Sequence, residues 1–213
     1  MTFDEIRREA YYKVWGSAVP PEDVVVNMPR WLSTAHKEIQ KDYNFWFMQD
    51  GNAIITTSPD VDLYLLPEDL KELIECFIRI GEQNDYTYSL RPGILVKPTQ
   101  EKAENPTWFQ IVGDSIKLFP TPSEERDLIL SYWKYLIAPD ITDLDFYSYE
   151  DALTRNGHEA IVHYVVWKIK SGMDAYQEAA NNYEQYAIAL ENLKRQDFKM
   201  RQVHYTEMDY RGV

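Results

Sequence analysis

The chain has 213 residues, of which 45% are hydrophobic and 14% aromatic, so it is long enough to bury one ordinary globular core. Its net charge of −13 argues against a surface that grips nucleic acid by neutralising phosphates, although a local basic patch is compatible with it. The only cysteine is Cys76, the fourth residue is already charged, and no apolar run approaches the ~20 residues that span a bilayer. We therefore expect a reducing compartment, no signal peptide and no membrane span.

Two helices are predicted before residue 49. Thr2 and Glu5 have the spacing of a capping box, and apolar residues recur at helical intervals from the third residue until Gly16 ends the helix. The segment "SAVPPEDVVV" is expected to interrupt the chain, and a second helix is expected to begin at Asn27, ahead of Pro29. That helix runs into "YNFWF", an aromatic cluster suited to anchoring it in a core.

From Gly51 the hydrophobic period changes from helical to two, which predicts a β-rich middle. The predicted strands are "NAIITT", "VDLYLL", "LIECFIRI", "TWFQIV", "SIKLF" and "DLILSYWKYL". Gly113 and Asp114 predict a hairpin turn between two of them, and "RPGILVKPTQEKAENP" has the composition of a loop. Strict alternation in "LIECFIRI" places Cys76 and Ile74 on the same face of the sheet.

Helical spacing returns near Ile161 and is expected to stop at the glycine of "SGM". The last helix has the clearest pattern, with Asp174 as its expected cap and Gln177 three residues further on. Its predicted apolar face consists of residues three and four apart, namely Tyr176, Ala179, Tyr183, Ala187, Leu190 and Leu193. After Gln196 this pattern fades, so residues 197–213 are expected to be disordered in the free protein.

Two helices before the strands and two after them predict an α+β fold. Both chain ends would build a helical bundle, residues 1–48 plus 150–197, into which an antiparallel β-rich subdomain, residues 49–149, is inserted. Residues 198–213 would form an extended C-terminal arm.

The sequence contains only weak candidates for a metal-binding or catalytic motif. His158 and His163 in "HEAIVH" are five residues apart, which separates them by roughly 140° around a helix and does not fit a zinc motif. Asp140, Asp143 and Asp145 in "DITDLD" lack the glycine and glutamate of a calcium loop, so a solvated linker is expected. The sequence contains no nucleophile elbow and no phosphate-binding glycine-rich loop. We expect no cofactor and no metal.

Three function classes stay open on these residues alone. The sixteen tyrosines and six tryptophans suit buried cores and also subunit interfaces, which favours a structural assembly protein without catalysis. A hydrolase-type enzyme is an alternative, because two carboxylates distant in sequence can pair in space. A host protein-binding module is the other alternative.

In order of elements, the chain resembles the head-tail connector proteins, or tail adaptors, of tailed bacteriophages. The resemblance rests on the first helix "FDEIRREAYYKV", the end of the second, "KDYNFWF", and the strand and turn "LYLLPEDLKEL". It continues with "IKLFPTP", "LSYWKYLIAPD" and the final helix "EAANNYEQYAIALENLKRQ". It covers nearly the whole chain, although the loop at residues 91–107 is longer than this family would suggest.

The resemblance implies a virion protein at the head-tail junction, made in the host cytoplasm. Its partners would be the portal protein, the next tail or nozzle protein, and copies of itself in a ring, commonly a dodecamer. Genomic DNA would pass through the lumen without sequence-specific binding. In related adaptors the C-terminal arm reaches the portal, which gives expected docking residues here: Phe198, Lys199, Arg201, Tyr205, Tyr210 and Arg211.

Overall fold

The computed structural model describes residues 1–16, 19–80, 86–93 and 102–209. Within these residues, five α-helices lie toward the two chain ends: α1 Phe3–Trp15, α2 Glu22–Lys41, α3 Ala152–Asn156, α4 His158–Gly172 and α5 Tyr176–Asp209. The same described residues form ten strands between them: β1 Gln49–Thr56, β2 Leu63–Leu65, β3 Leu70–Ile80, β4 Tyr86–Ser89, β5 Arg91–Pro92, β6 Lys102–Ala103, β7 Trp108–Val112, β8 Ser115–Phe119, β9 Thr121–Pro122 and β10 Asp127–Lys134. This arrangement confirms the predicted α+β class.

The first helix begins and ends as its sequence predicts. The Thr2 side chain accepts the Glu5 N–H, and the Glu5 carboxylate accepts the Thr2 N–H in return, which completes the capping box. At the other end Gly16 takes a φ of 65°, and its N–H bonds to the Tyr12 carbonyl. Glycine adopts this left-handed conformation without steric cost.

The second helix starts earlier than predicted. It begins at Glu22, so Pro29 lies inside it and "VVV" belongs to it. An interior proline costs a helix roughly 3 kcal/mol. Burial of Val24 and Met28 before the proline and of Leu32 after it offsets that cost, because these residues form one apolar stripe.

The strands build two four-stranded sheets, ordered β1-β10-β3-β4 and β2-β8-β7-β5, and a small pair, β6-β9. The buried core contains residues of both larger sheets: Tyr64, Cys76, Ile78, Leu90, Phe109, Ile116, Leu118, Leu128, Leu130 and Tyr132. Gly113 has a φ of 59° in the two-residue turn between β7 and β8, which confirms the predicted hairpin. The alternation prediction for β3 is wrong at Ile74, which is 40% exposed because the pairing with β10 shifts there.

The chain divides into two compact units, residues 1–47 with 136–213 and residues 48–135. The predicted β-rich insertion, residues 49–149, includes residues 136–149, which lie in the helical unit. Within that unit α4 packs against α1, α2 and α5, and its apolar residues are buried on most sides. None of the described helices is both long and apolar enough to cross a membrane.

Candidate functional site

The predicted arm is largely helical, which corrects the expectation of an extended, disordered segment. α5 continues through residues 198–209 to Asp209 without interruption. The apolar pattern fades at this point because the buried stripe continues with charged residues: Leu193 is followed at helical spacing by Asp197 and Arg201. The two opposite charges satisfy each other, so the helix continues without the apolar repeat.

Asp197 is only 2% exposed, and several hydrogen bonds and an ion pair converge on its carboxylate. Its carboxylate accepts hydrogen bonds from the Tyr43 hydroxyl, at 2.9 Å, and from the Trp46 backbone N–H. It also forms an ion pair with Arg201, at 2.7 Å. The Arg201 guanidinium in turn donates to the Asn44 carbonyl. These contacts join α5 to the aromatic segment after α2, about 150 residues earlier in the chain.

The predicted docking residues therefore differ in their surroundings. Phe198 is 59% exposed and Lys199 is exposed, so both are available to a partner. Arg201 is engaged within the chain and holds the helix rather than facing solvent freely. Tyr205 lies in α5, but its side chain is outside the described residues, and Tyr210 and Arg211 lie outside them altogether.

A surface cleft of about 320 Å³ lies beside Asp197. Its lining combines the aromatic segment, α5 and the end of α3: Trp46, Phe47, Asn156, Leu193, Gln196, Asp197, Lys199 and Met200. Trp46 and Met200 are both substantially exposed. Trp46 belongs to the aromatic cluster "YNFWF" that was expected to anchor α2, whereas nothing in the hydrophobic pattern pointed to Met200 or to the role of Asp197. The opposite charges at positions 197 and 201 were the available signal, because such a pair faces one side of a helix.

A second buried polar network joins the two ends of the chain. The fully buried His36 lies 2.7 Å from Asp151 through Nε2 and 3.0 Å from the Gln40 amide nitrogen through Nδ1. The Gln40 amide oxygen accepts the Leu136 N–H, which fixes the amide orientation. Nδ1 is thus the acceptor, and Nε2 donates to the Asp151 carboxylate. Burial raises the pKa of Asp151, but bonds from His36, the Thr154 N–H and the Tyr149 hydroxyl outweigh it and leave that pKa lowered.

This network does not have the geometry of a catalytic histidine. Both ring nitrogens of His36 are already bonded inside the chain, so neither can take a proton from a substrate, and the ring has no exposed surface. Asp140 and Asp143 bond the backbone of their own turn. Within the described residues, no group of three or more His, Cys, Asp and Glu side chains could hold a metal ion.

Comparison with known proteins agrees with an assembly role. A family model described as "SU10 adaptor protein" matches residues 1–206, which is nearly the whole chain. A search of curated proteins finds no match.

Proposed function

Since this chain belongs to the SU10 adaptor protein family and is therefore a structural adaptor of a bacteriophage virion, we propose that it docks as a ring beneath the capsid portal. The ring, a dodecamer, extends the DNA channel and provides the platform for the next tail protein. The net charge of −13 per copy supports this proposal, because a negatively charged lumen lets DNA pass without adhering.

The observation that supports portal docking most directly is the length of α5. With 34 residues this helix is about 51 Å long, whereas α4, its main packing partner, has 15 residues and is about 22 Å long. A connection of three residues joins the two helices, so they run side by side from that end. α5 therefore extends past the start of α4, and residues beyond about 190 need other support.

That support is the contact of Asp197 and Arg201 with the aromatic segment at residues 43–46. It holds the exposed Phe198 and Lys199 in place on a helix, and a rigid helix presents its side chains at lower entropic cost than a disordered arm. We propose that Phe198 docks on the portal with residues 202–213, including Tyr205 and Tyr210. Lys199 and Arg211 would pair with portal carboxylates.

The test is a chain that ends at Arg201. It keeps both partners of the ion pair, so its circular dichroism and thermal unfolding midpoint should stay close to wild type. Binding to DNA-filled heads that lack tails, imaged at the portal vertex, should be lost. A shortened protein that fills the vertex at wild-type occupancy would refute docking through residues 202–213, and the variant Phe198→Ala in the full chain tests the remaining contact in the same assay. Cutting after Gln196 is a poorer test, because it removes Asp197 and destabilises the helical unit.

A further inference from the structure

α5 carries a second apolar stripe that is largely exposed, although one face of the Tyr183 ring packs against Trp167 of α4, with the ring centroids 5.0 Å apart. Tyr176 and Tyr183 are 70% and 51% exposed, and Ala180 and Ala187 are exposed between and beyond them. Glu191 continues the stripe, with successive steps of four, three, four and four residues. This spacing keeps residues on one side of a helix, and alternating large and small side chains form knobs and holes for a second helix.

The outer side of α2 has a stripe with the same steps: Val26, Arg30, Ser33, Lys37 and Lys41. Its three basic residues are exposed and form no salt bridge within the part of the chain that the structure describes, although the charge of Lys37 is felt by Asp140 in the adjoining cleft. This stripe is positively charged, although the protein as a whole has a net charge of −13. Arg30, Ser33 and Lys37 also line a cleft of about 400 Å³ against residues 138–141.

We propose that the α5 stripe of one copy packs against the α2 stripe and cleft of the next copy. This inference rests on the proposed ring. Each stripe covers sixteen residues, 176–191 and 26–41, so its first and last residues are about 22 Å apart along the helix. With the helices parallel, each small side chain meets a large one and Glu191 meets a lysine: Ala180 opposite Arg30, Tyr183 opposite Ser33, Ala187 opposite Lys37, and Glu191 opposite Lys41. The exposed Glu184 flanks the stripe within reach of the same basic residues.

The direction of the helices within one copy agrees with parallel packing. Tyr43, just after α2, bonds Asp197 in the C-terminal half of α5, so the C-terminal parts of the two helices meet. In the proposed ring the axis runs along both helices, and rotation about such an axis leaves their directions unchanged, so the contact between neighbouring copies is parallel. Because the two surfaces differ, their contact is head-to-tail, the kind of contact that closes into a ring.

Cross-linking tests this interface. In the double variant Ser33→Cys with Ala187→Cys, a short bis-maleimide should link neighbouring copies. The linked copies should appear as a ladder of oligomer bands on a denaturing gel, both from tailless heads and from concentrated protein. The native Cys76 is buried and should not react. The matched control pairs Ser33→Cys with Gln185→Cys, an exposed position two residues earlier and roughly 160° around α5. We expect about tenfold more linked product from the first pair, because cysteines held together react at a high effective concentration.

The outcomes separate this interface from the proposed function. Heads that carry normal amounts of the double variant without any ladder would overturn the interface and leave portal docking intact. Equal ladders from both cysteine pairs would also overturn it. If wild-type protein fails to bind heads, the proposed docking is wrong. The ladder from concentrated protein then tests the contact between copies without any heads. As a further check, Lys41→Glu should weaken the ladder, and adding Glu191→Lys should restore it.

Discussion

Replacing Asp197 with alanine tests whether this buried carboxylate holds the C-terminal part of α5. The substitution leaves the Trp46 N–H without its acceptor and removes the ion pair of Arg201. Breaking a buried pair by removing one partner costs about 3–5 kcal/mol. We expect the lower end, about 3 kcal/mol, because Arg201 is 32% exposed and keeps its bond to the Asn44 carbonyl. For a chain of this size, that loss lowers the unfolding midpoint by roughly 10 °C.

The assay is urea unfolding followed by circular dichroism, with Asp197→Asn beside Asp197→Ala. The asparagine keeps an oxygen for the Trp46 N–H but loses the charge, so its unfolding free energy should lie between wild type and alanine. The control is Glu191→Ala on the same helix, where the glutamate is 59% exposed and forms an ion pair with Lys194 that is worth about 0.5 kcal/mol or less. If Asp197→Ala unfolds like Glu191→Ala, the assigned role of Asp197 is wrong.

Three other predictions use the same unfolding measurement or a thiol assay. Gly157→Ala should cost about 1–3 kcal/mol, because the new methyl would lie 2.9 and 3.0 Å from two leucine side chains, whereas Gly172→Ala meets nothing within 4 Å and should be nearly neutral. Burial raises the pKa of Cys76 to about 12, so the thiol should resist maleimide at pH 8 until the chain unfolds; rapid labelling of folded protein would contradict its burial. Asp151→Asn, which weakens the bond from His36, should destabilise the protein at pH 7, and the difference from wild type should shrink below about pH 4. The sign follows from the lowered pKa of Asp151: its contribution is present above the unfolded pKa and lost as the pH falls through the folded one.

The sequence by itself determined those features whose hydrogen bonds close within a few residues. The capping box of Thr2 and Glu5 and the turn at Gly113 depend on local backbone geometry, so spacing and residue type were enough to predict them. The α+β class followed equally well, because the change from helical to strand periodicity is visible along the chain. The order of these elements also carried the resemblance to phage adaptors that the family match supports.

Only the tertiary structure decided which surfaces are buried. Tyr176 and Tyr183 fit an apolar helical face, yet they are 70% and 51% exposed, because the buried contact with α4 runs through the adjacent stripe that contains Ala179 and Leu193. Only part of the Tyr183 ring is covered, against Trp167 of α4. Local spacing could not choose between two neighbouring stripes, since each satisfies the same helical period.

The start of α2 and the end of α5 also depended on tertiary contacts, which local spacing does not contain. Pro29 is accepted inside a helix because apolar burial on both sides of it offsets the lost hydrogen bond. Asp197 is buried because its partners include Tyr43 and the backbone of Trp46, which are far away in sequence. The pattern of residues 197–213 contains no trace of those partners, so the sequence indicated an arm, whereas the folded chain continues as a helix to Asp209.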